Sequence, residues 1–155
     1  MNRALLVAAT LVIQAAMAPA WAGERLLGMW DLDSQEINGE KTNAGPLTLK
    51  VSQAEDQLTF AFFVNHADLV SMSYTVQLDG SEADVKNAKG EKVGTIRMTR
   101  DGASQYKLVL KGPNRPDSAG TLTVSPDGKT LTSEADSLQS GRPTHSKQVF
   151  SRRQG

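Results

Sequence analysis

The sequence contains no cysteine, and this absence removes several kinds of chemistry. Without thiols the chain can form neither a disulfide framework nor a thiolate metal site, and it has no cysteine nucleophile. Histidine is also scarce, with two residues in a chain of 155, so a catalytic zinc held by three histidines is excluded. His66 and His145 leave room for a shared metal or acid–base site, although two unrelated surface imidazoles are the simpler interpretation.

Neither sign of charge is in excess. The chain has 17 basic and 17 acidic residues, so nothing favours nucleic acid or an anionic membrane as a partner. The G-x-S-x-G motif of serine hydrolases is absent. Two pairs of carboxylates, Glu82 with Asp84 and Glu134 with Asp136, are spaced to share one face of a strand, and we interpret them as a solvated outer wall. The sequence therefore predicts a protein that is not an enzyme and uses no metal or cofactor.

A strongly apolar run lies at the N-terminus, over residues 4–18, directly after the basic Arg3. It falls short of the roughly 20 apolar residues that a transmembrane helix needs, so membrane insertion is not expected. Residues 20–22 read Ala-Trp-Ala, which places small side chains at both positions that a signal peptidase reads. These features predict a signal peptide with cleavage after Ala22 and a mature domain, residues 23–155, that is periplasmic or secreted.

Alternation of apolar and polar residues recurs along the rest of the chain, and no segment with helical periodicity competes with it. In VSMSYTVQL, residues 70–78, every second side chain is apolar and the others are polar. This pattern predicts an all-β domain, an antiparallel up-and-down meander of about eight to ten strands. The predicted strands span 26–32, 47–52, 57–64, 70–78, 82–87, 92–99, 104–111, 119–124, 129–135 and 145–152.

The connections between these strands are of two kinds. Asp79-Gly80, Asp101-Gly102 and Asp127-Gly128 are signals of tight hairpins, whereas longer connections are expected at 33–46, 112–118 and 136–144. Because alternate connections of a meander lie at opposite ends, tight turns gather at one end and long loops at the other. A β-propeller would need repeated blades, which the sequence lacks. We therefore expect a barrel with one closed end and one open mouth.

The segment LLGMWDLD resembles the G-x-W opening of the lipocalins, which belong to the calycin superfamily, here as Gly28-Met29-Trp30. Together with the later SPDGKTL hairpin, it resembles small exported bacterial lipocalin-like domains. The resemblance implies that Trp30 plugs the closed end and that a basic residue of the last strand, Arg152, packs across it. Fatty-acid-binding proteins of the same superfamily insert a helix pair after their first strand, for which DSQEINGEKTNAG is a poor match. The resemblance is therefore to the superfamily rather than to one of its branches.

A barrel of this size is either filled by its own side chains or holds one small ligand. The first possibility makes the chain a protein-binding or inhibitor module that acts through residues 33–46, 112–118 and 136–144. The second makes it an exported carrier of a small hydrophobic or amphipathic ligand, and this is the function that the sequence favours. The candidate ligand-binding side chains are chosen from those predicted to point inward: Phe60, Phe62, Met72, Tyr74, Met98, Tyr106 and Leu108.

We expect the mature protein to begin at Gly23, because the peptidase reads the two alanines that flank Trp21. The full chain expressed in a Gram-negative bacterium should yield periplasmic protein whose intact mass corresponds to residues 23–155. Ala22→Arg should block processing, whereas Trp21→Leu, at the position that is not read, should leave it unchanged. A periplasmic product that retains residues 1–22 would contradict the predicted cleavage.

Overall fold

A computed structural model of the chain describes residues 24–65, 68–139 and 141–155, with the side chain of Gln139 excepted. The predicted signal peptide and His66 lie outside these residues. Eleven β-strands and no helix occur in the described part, so no helix long and apolar enough to span a membrane is present there. The strands are β1 (Gly28–Ile37), β2 (Glu40–Thr42), β3 (Leu47–Ala54), β4 (Gln57–Val64), β5 (Met72–Val76), β6 (Asp79–Asn87), β7 (Lys92–Arg100), β8 (Gln105–Gly112), β9 (Arg115–Val124), β10 (Thr130–Gln139) and β11 (Arg142–Arg152).

The strands form one antiparallel sheet that closes on itself. From β3 to β11 each strand pairs with the next, and β1 completes the circle by pairing with β3 on one edge and β11 on the other. The three-residue β2 lies outside this circle and pairs with the far end of β1. The predicted closed, antiparallel, up-and-down barrel is therefore confirmed, with ten strands in the barrel wall.

The connections predicted to be long loops are mostly strand. β1 continues through residues 33–37 and turns at Asn38-Gly39, a strong hairpin signal that the prediction overlooked. Residues 115–118 belong to β9, and residues 136–139 of β10 pair with 142–145 of β11. These pairings extend the hairpins toward the mouth because the backbone groups on both sides find ladder partners.

The Asp79-Gly80 turn was predicted slightly too late. These two residues open β6, and the reversal from β5 comes just before them, at residues 77–78. Asp79 accepts hydrogen bonds from the backbone and hydroxyl of Ser81, at 2.9 and 2.6 Å, and a bulge follows before the regular ladder resumes at Glu82. The strand predicted at 82–87 is therefore part of a longer one, and its ladder with β7 shifts register once more between Val85 and Lys86.

One cluster of side chains seals the closed end of the barrel. Trp30 and Leu26 are fully buried, and the indole Nε1 of Trp30 donates to the carbonyl of Leu26 at 2.8 Å. The guanidinium of Arg152 lies over the Trp30 ring, with its Cζ 4.1 Å from the ring centroid. The same guanidinium donates to the carbonyls of Gly128 at 2.7 Å, of Arg25 at 2.5 Å and of Leu27. Arg152 thereby joins the N-terminal segment, the β9–β10 turn and the last strand.

Gly28 belongs to this cluster for a steric reason. Its φ is +127°, a conformation that side chains of L residues rarely adopt, and a Cβ there would lie 2.8 Å from Nη1 of Arg152. The chain therefore needs glycine at this position for the guanidinium to reach the indole. Gly28, Trp30 and Arg152, which the sequence resemblance singled out, act together as one closing unit.

We expect Arg152→Leu to lower the free energy of unfolding by about 3 kcal/mol, because the change leaves partly buried carbonyls without donors and removes the cation–π contact. Urea unfolding followed by circular dichroism measures this loss. Arg97→Leu is the matched control, because Arg97 forms an exposed ion pair with Glu82 across 3.2 Å, a kind of contact that contributes little. Equal losses for the two variants would contradict the role given to Arg152.

Candidate functional site

The interior of the barrel encloses a cavity of about 470 Å³ above the closed end. Pockets that hold drug-sized ligands range from about 300 to 1,000 Å³. Leu131 and Phe150 contribute to its lining where the packed core begins, and both are buried. The barrel is thus filled at one end and hollow at the other, a combination that neither of the two sequence hypotheses described in full.

One wall of the cavity is apolar and aromatic, and it comes from β3, β4 and β5. Phe60 pairs with Tyr74 across β4 and β5, and their rings stack with centroids 4.9 Å apart. Phe62 pairs with Met72 and places its ring 6.0 Å from that of Tyr74. Leu49 of β3 completes the wall. Cross-strand aromatic pairs of this kind hold each other in fixed orientations, so the wall is formed before any ligand arrives.

Tyr74 brings the one phenol to this wall. Its hydroxyl makes no hydrogen bond to the described residues. It is not one of the fully buried polar atoms that lack a partner, so it is not sealed off from the cavity. Burial of the ring raises the pKa of Tyr74 well above its usual value. The phenol is therefore a neutral group at neutral pH that can either donate or accept a hydrogen bond within the cavity.

The adjoining wall, from β1, β10 and β11, is more polar, and above the floor it is built from small or neutral side chains. Gln148 Nε2 donates to Gln35 Oε1 at 2.8 Å across the seam where β11 meets β1. Ser133 lies beside Gln148 in the β10–β11 ladder, and Ser137 and Ser146 follow toward the mouth. The cavity therefore has two unlike faces, one of rings and aliphatic chains and one of amides and hydroxyls.

Gln35 faces the cavity because β1 contains a bulge. The ladder with β11 pairs Leu32 with Phe150 and then Ser34 with Val149, which leaves Asp33 as an extra residue. Inward positions therefore shift from the even numbers of Trp30 and Leu32 to the odd number of Gln35. Sequence reasoning missed Gln35 because it placed residues 33–46 in a long connection; alternation continued from Trp30 and Leu32 would also have predicted the wrong face.

Arg115 reaches the cavity in the same way. The β8–β9 ladder pairs Leu110 with Ser118 and then Gly112 with Arg115, so β9 has two residues where β8 has one. The bulge turns Arg115 to the interior side at the mouth, where it lines the cavity while staying exposed to solvent. Within the described ranges it is the one charged side chain in the cavity lining, and no ion pair occupies it.

The structure places five of the seven candidate ligand-binding residues in the cavity wall: Phe60, Phe62, Met72, Tyr74 and Leu108. Met98 and Tyr106 point inward as predicted and are fully buried, but they do not line the cavity. They lie toward the turn at 101–104, where Arg100 covers the ring of Tyr106 at 5.5 Å. Near the closed end, an inward side chain packs against the core instead of facing open space.

The remaining candidates lie on the outer wall. His145 Nδ1 is 2.8 Å from Asp136 Oδ1, and the sequence partner proposed for it, His66, is not described. Glu82 pairs with Arg97, and Asp84 with Lys92 at 2.7 Å. In the part of the chain that the structure describes, no group of three or more potential metal ligands comes together.

No protein-family model and no curated protein matches the chain. Among solved structures it is similar to a Schistosoma mansoni fatty-acid-binding protein in complex with arachidonic acid, with a TM-score of 0.64 and 16% identity over 86% of this chain and 99% of that one. It is also similar to a zebrafish ileal bile-acid-binding protein complexed with cholic acid (TM-score 0.59, 16% identity, 83% and 99% covered). A Drosophila melanogaster brain fatty-acid-binding protein gives a TM-score of 0.56 at 17% identity, with 79% and 95% covered. At such identities the likeness shows the fold alone, a closed antiparallel β-barrel.

The two tyrosines of the chain allow a test of how enclosed this interior is. Burial raises the pKa of Tyr74, and it also raises that of Tyr106 against the opposing charges of Arg100 and Arg25. Because the folded-state pKa values lie above the unfolded ones, the stability they provide is complete below about pH 10 and is lost as the pH rises further.

We therefore expect the ultraviolet absorbance of phenolate to rise in the same alkaline step in which the β-sheet circular dichroism is lost. Tyr74→Phe should remove about half of the absorbance change and move the unfolding step to higher pH. Phenolate that forms near pH 10 while the circular dichroism stays native would show that the rings are open to water.

Proposed function

We propose that the chain binds a small hydrophobic or amphipathic molecule inside the barrel and carries it. The single observation that carries this proposal is the cavity of about 470 Å³, which opens at the mouth and has an aromatic wall beside a more polar one. The alternative of a solid-core module depended on a filled barrel and on long loops at the mouth. The described residues provide neither, because the upper barrel is hollow and the strands continue to the mouth.

The driving force is removal of apolar ligand surface from water, about 25 cal/mol per Å² before the cost of ordering the ligand. Phe60, Phe62, Met72 and Tyr74 supply the contact surface, and their cross-strand pairing limits how much must be ordered on binding. Met72 adapts to ligands of different shape because its thioether chain is unbranched. The wall therefore favours an elongated apolar body over one particular outline.

The solved structures support this proposal without deciding it. Two of them, similar to this chain over more than four fifths of its length, are complexes with arachidonic acid and with cholic acid. Both ligands combine a large apolar body with polar groups. A cavity with one apolar and one polar wall suits that combination.

We further propose that binding takes place outside the cytoplasm, in the periplasm or the medium, after cleavage behind Ala22. The signal-like pattern of the N-terminal segment supports this location, and the absence of cysteine is compatible with it. A carrier in such a compartment would keep a poorly soluble molecule apart from water between two membranes or two proteins.

Native mass spectrometry of mature protein purified without detergent tests the carrier function. We expect an added mass that is lost after extraction with organic solvent, together with binding of the neutral dye Nile red to the extracted protein. Ser133→Phe should weaken dye binding roughly tenfold or more, because the ring fills space that the ligand needs.

Thr132→Phe, one residue away on β10 and off the cavity lining, is the matched control and should bind the dye as the unchanged chain does. Circular dichroism and thermal melting establish that both variants are folded. Dye binding that responds equally to both substitutions, or that is absent from the unchanged protein, would overturn the proposed function.

A further inference from the structure

The polar groups of the cavity are sorted by depth. In the barrel ladder, Gln35, Gln148 and Ser133 form one level, directly above the level of Phe150 at the cavity floor. Arg115 pairs with Gly112 next to the β8–β9 turn, at the mouth. Neutral amides and a hydroxyl therefore lie deep in the cavity, and the positive charge lies at its rim.

The deep level has hydrogen-bonding capacity to spare. The bond between Gln148 Nε2 and Gln35 Oε1 leaves Gln148 Oε1 as a free acceptor and Gln35 Nε2 as a free donor. Neither residue has a further hydrogen bond within the described part of the chain, and neither atom is sealed from the cavity. Ser133 adds a hydroxyl that can donate or accept. The level thus presents a donor and an acceptor side by side.

No cation is available at that depth. The guanidinium of Arg152 lies on the far side of the floor, where it covers Trp30 and donates to three backbone carbonyls. Among the described residues the cavity lining contains no lysine, no histidine and no arginine except Arg115. A carboxylate placed beside Gln35 would receive hydrogen bonds but no counter-ion, and burial of an unpaired charge is strongly unfavourable.

We infer that the deep end of the cavity selects a neutral hydrogen-bonding group, such as a primary amide or a hydroxyl, and that an anionic group is held at the mouth by Arg115. This inference rests on the proposed function and specifies its ligand class. The ligand is an elongated apolar molecule whose inner end is polar but uncharged. A simple fatty acid binds in the reverse direction, with its tail at the floor and its carboxylate outside.

Three ligands that differ only at one end separate these directions: dodecanamide, dodecan-1-ol and dodecanoate, each measured near neutral pH by displacement of Nile red from extracted mature protein. The Gln35→Leu/Gln148→Leu double variant removes both amides together and so leaves neither one unpaired. We expect it to bind dodecanamide and dodecan-1-ol about five- to tenfold more weakly and dodecanoate within about twofold of the unchanged protein.

Arg115→Gln should give the opposite pattern, with dodecanoate weakened about five- to tenfold and dodecanamide unchanged. Gln105→Leu, which removes an exposed glutamine from β8, is the control and should change none of the three affinities. Thermal melting of each variant identifies any that fails to fold. Should the double variant fail, Ser133→Ala provides the same test at the same level, with a smaller loss expected for the amide and the alcohol.

The outcomes distinguish the two claims. If Nile red and all three ligands fail to bind the unchanged protein, the proposed function is wrong and this inference falls with it. If they bind but dodecanoate loses affinity in the Gln35→Leu/Gln148→Leu variant and not in Arg115→Gln, the carboxylate enters the deep end and the inference alone is overturned. The same holds if both variants affect all three ligands alike.

Discussion

The guanidinium of Arg152 holds the closed end of the barrel together, and the filled part of the interior lies next to it. It lies on the indole of Trp30 and donates hydrogen bonds to the segment before β1 and to the turn before β10. Partial burial lowers the pKa of Arg152, but a group that ordinarily titrates so high stays charged at neutral pH. The charge is therefore kept at the closed end, where carbonyl oxygens and an aromatic face stabilise it together. The cavity floor behind this cluster can consequently be made of neutral side chains.

The seam next to this cluster is held by a second arginine, on the outside. Arg153 donates from Nε to Asp31 Oδ2 at 2.8 Å, and Thr48 donates to the other carboxylate oxygen at the same distance. These bonds tie the end of β11 to β1 and β3, the strands that complete the circle. Arg152, the last residue of β11, and Arg153, which follows it, thus hold the closure from inside and outside. A barrel that closes between its first and last strands needs such contacts, because the two strands are far apart in the sequence and their pairing is entropically costly.

The sequence predicted the features that depend on regular alternation. Strands with period two and the closed end follow from residue type and order, whereas the Gly28–Trp30–Arg152 unit was expected from the resemblance to lipocalins. The cavity wall was predicted where the ladders are regular, as at Phe60, Phe62, Met72 and Tyr74. Gln35 and Arg115 were missed because both lie in segments predicted as long connections, 33–46 and 112–118. A β-bulge next to each also reverses which side chains face inward, without a clear signature in side-chain type. Met98 and Tyr106 lie inside as alternation predicts, but alternation does not distinguish a packed level from a hollow one.

The position of the cavity is indicated in the sequence by the size of the inward-facing side chains. The inward positions of β9 to β11 are small around the cavity, with Ser118, Gly120, Ser133, Ala135 and Ser146, whereas β3 to β5 contribute rings, Leu and Met. β9 and β10 approach each other closely at Gly120, since a Cβ there would lie 2.1 Å from the carbonyl oxygen of Glu134. Small side chains on one side and large ones on the other leave a space that is displaced toward the polar wall. Only 5% of the residues are aromatic, and most of their rings form the cavity floor and one wall. The rest of the upper barrel interior is left open for a ligand. The barrel therefore has a cavity partly because the chain contains too few aromatic residues to fill it.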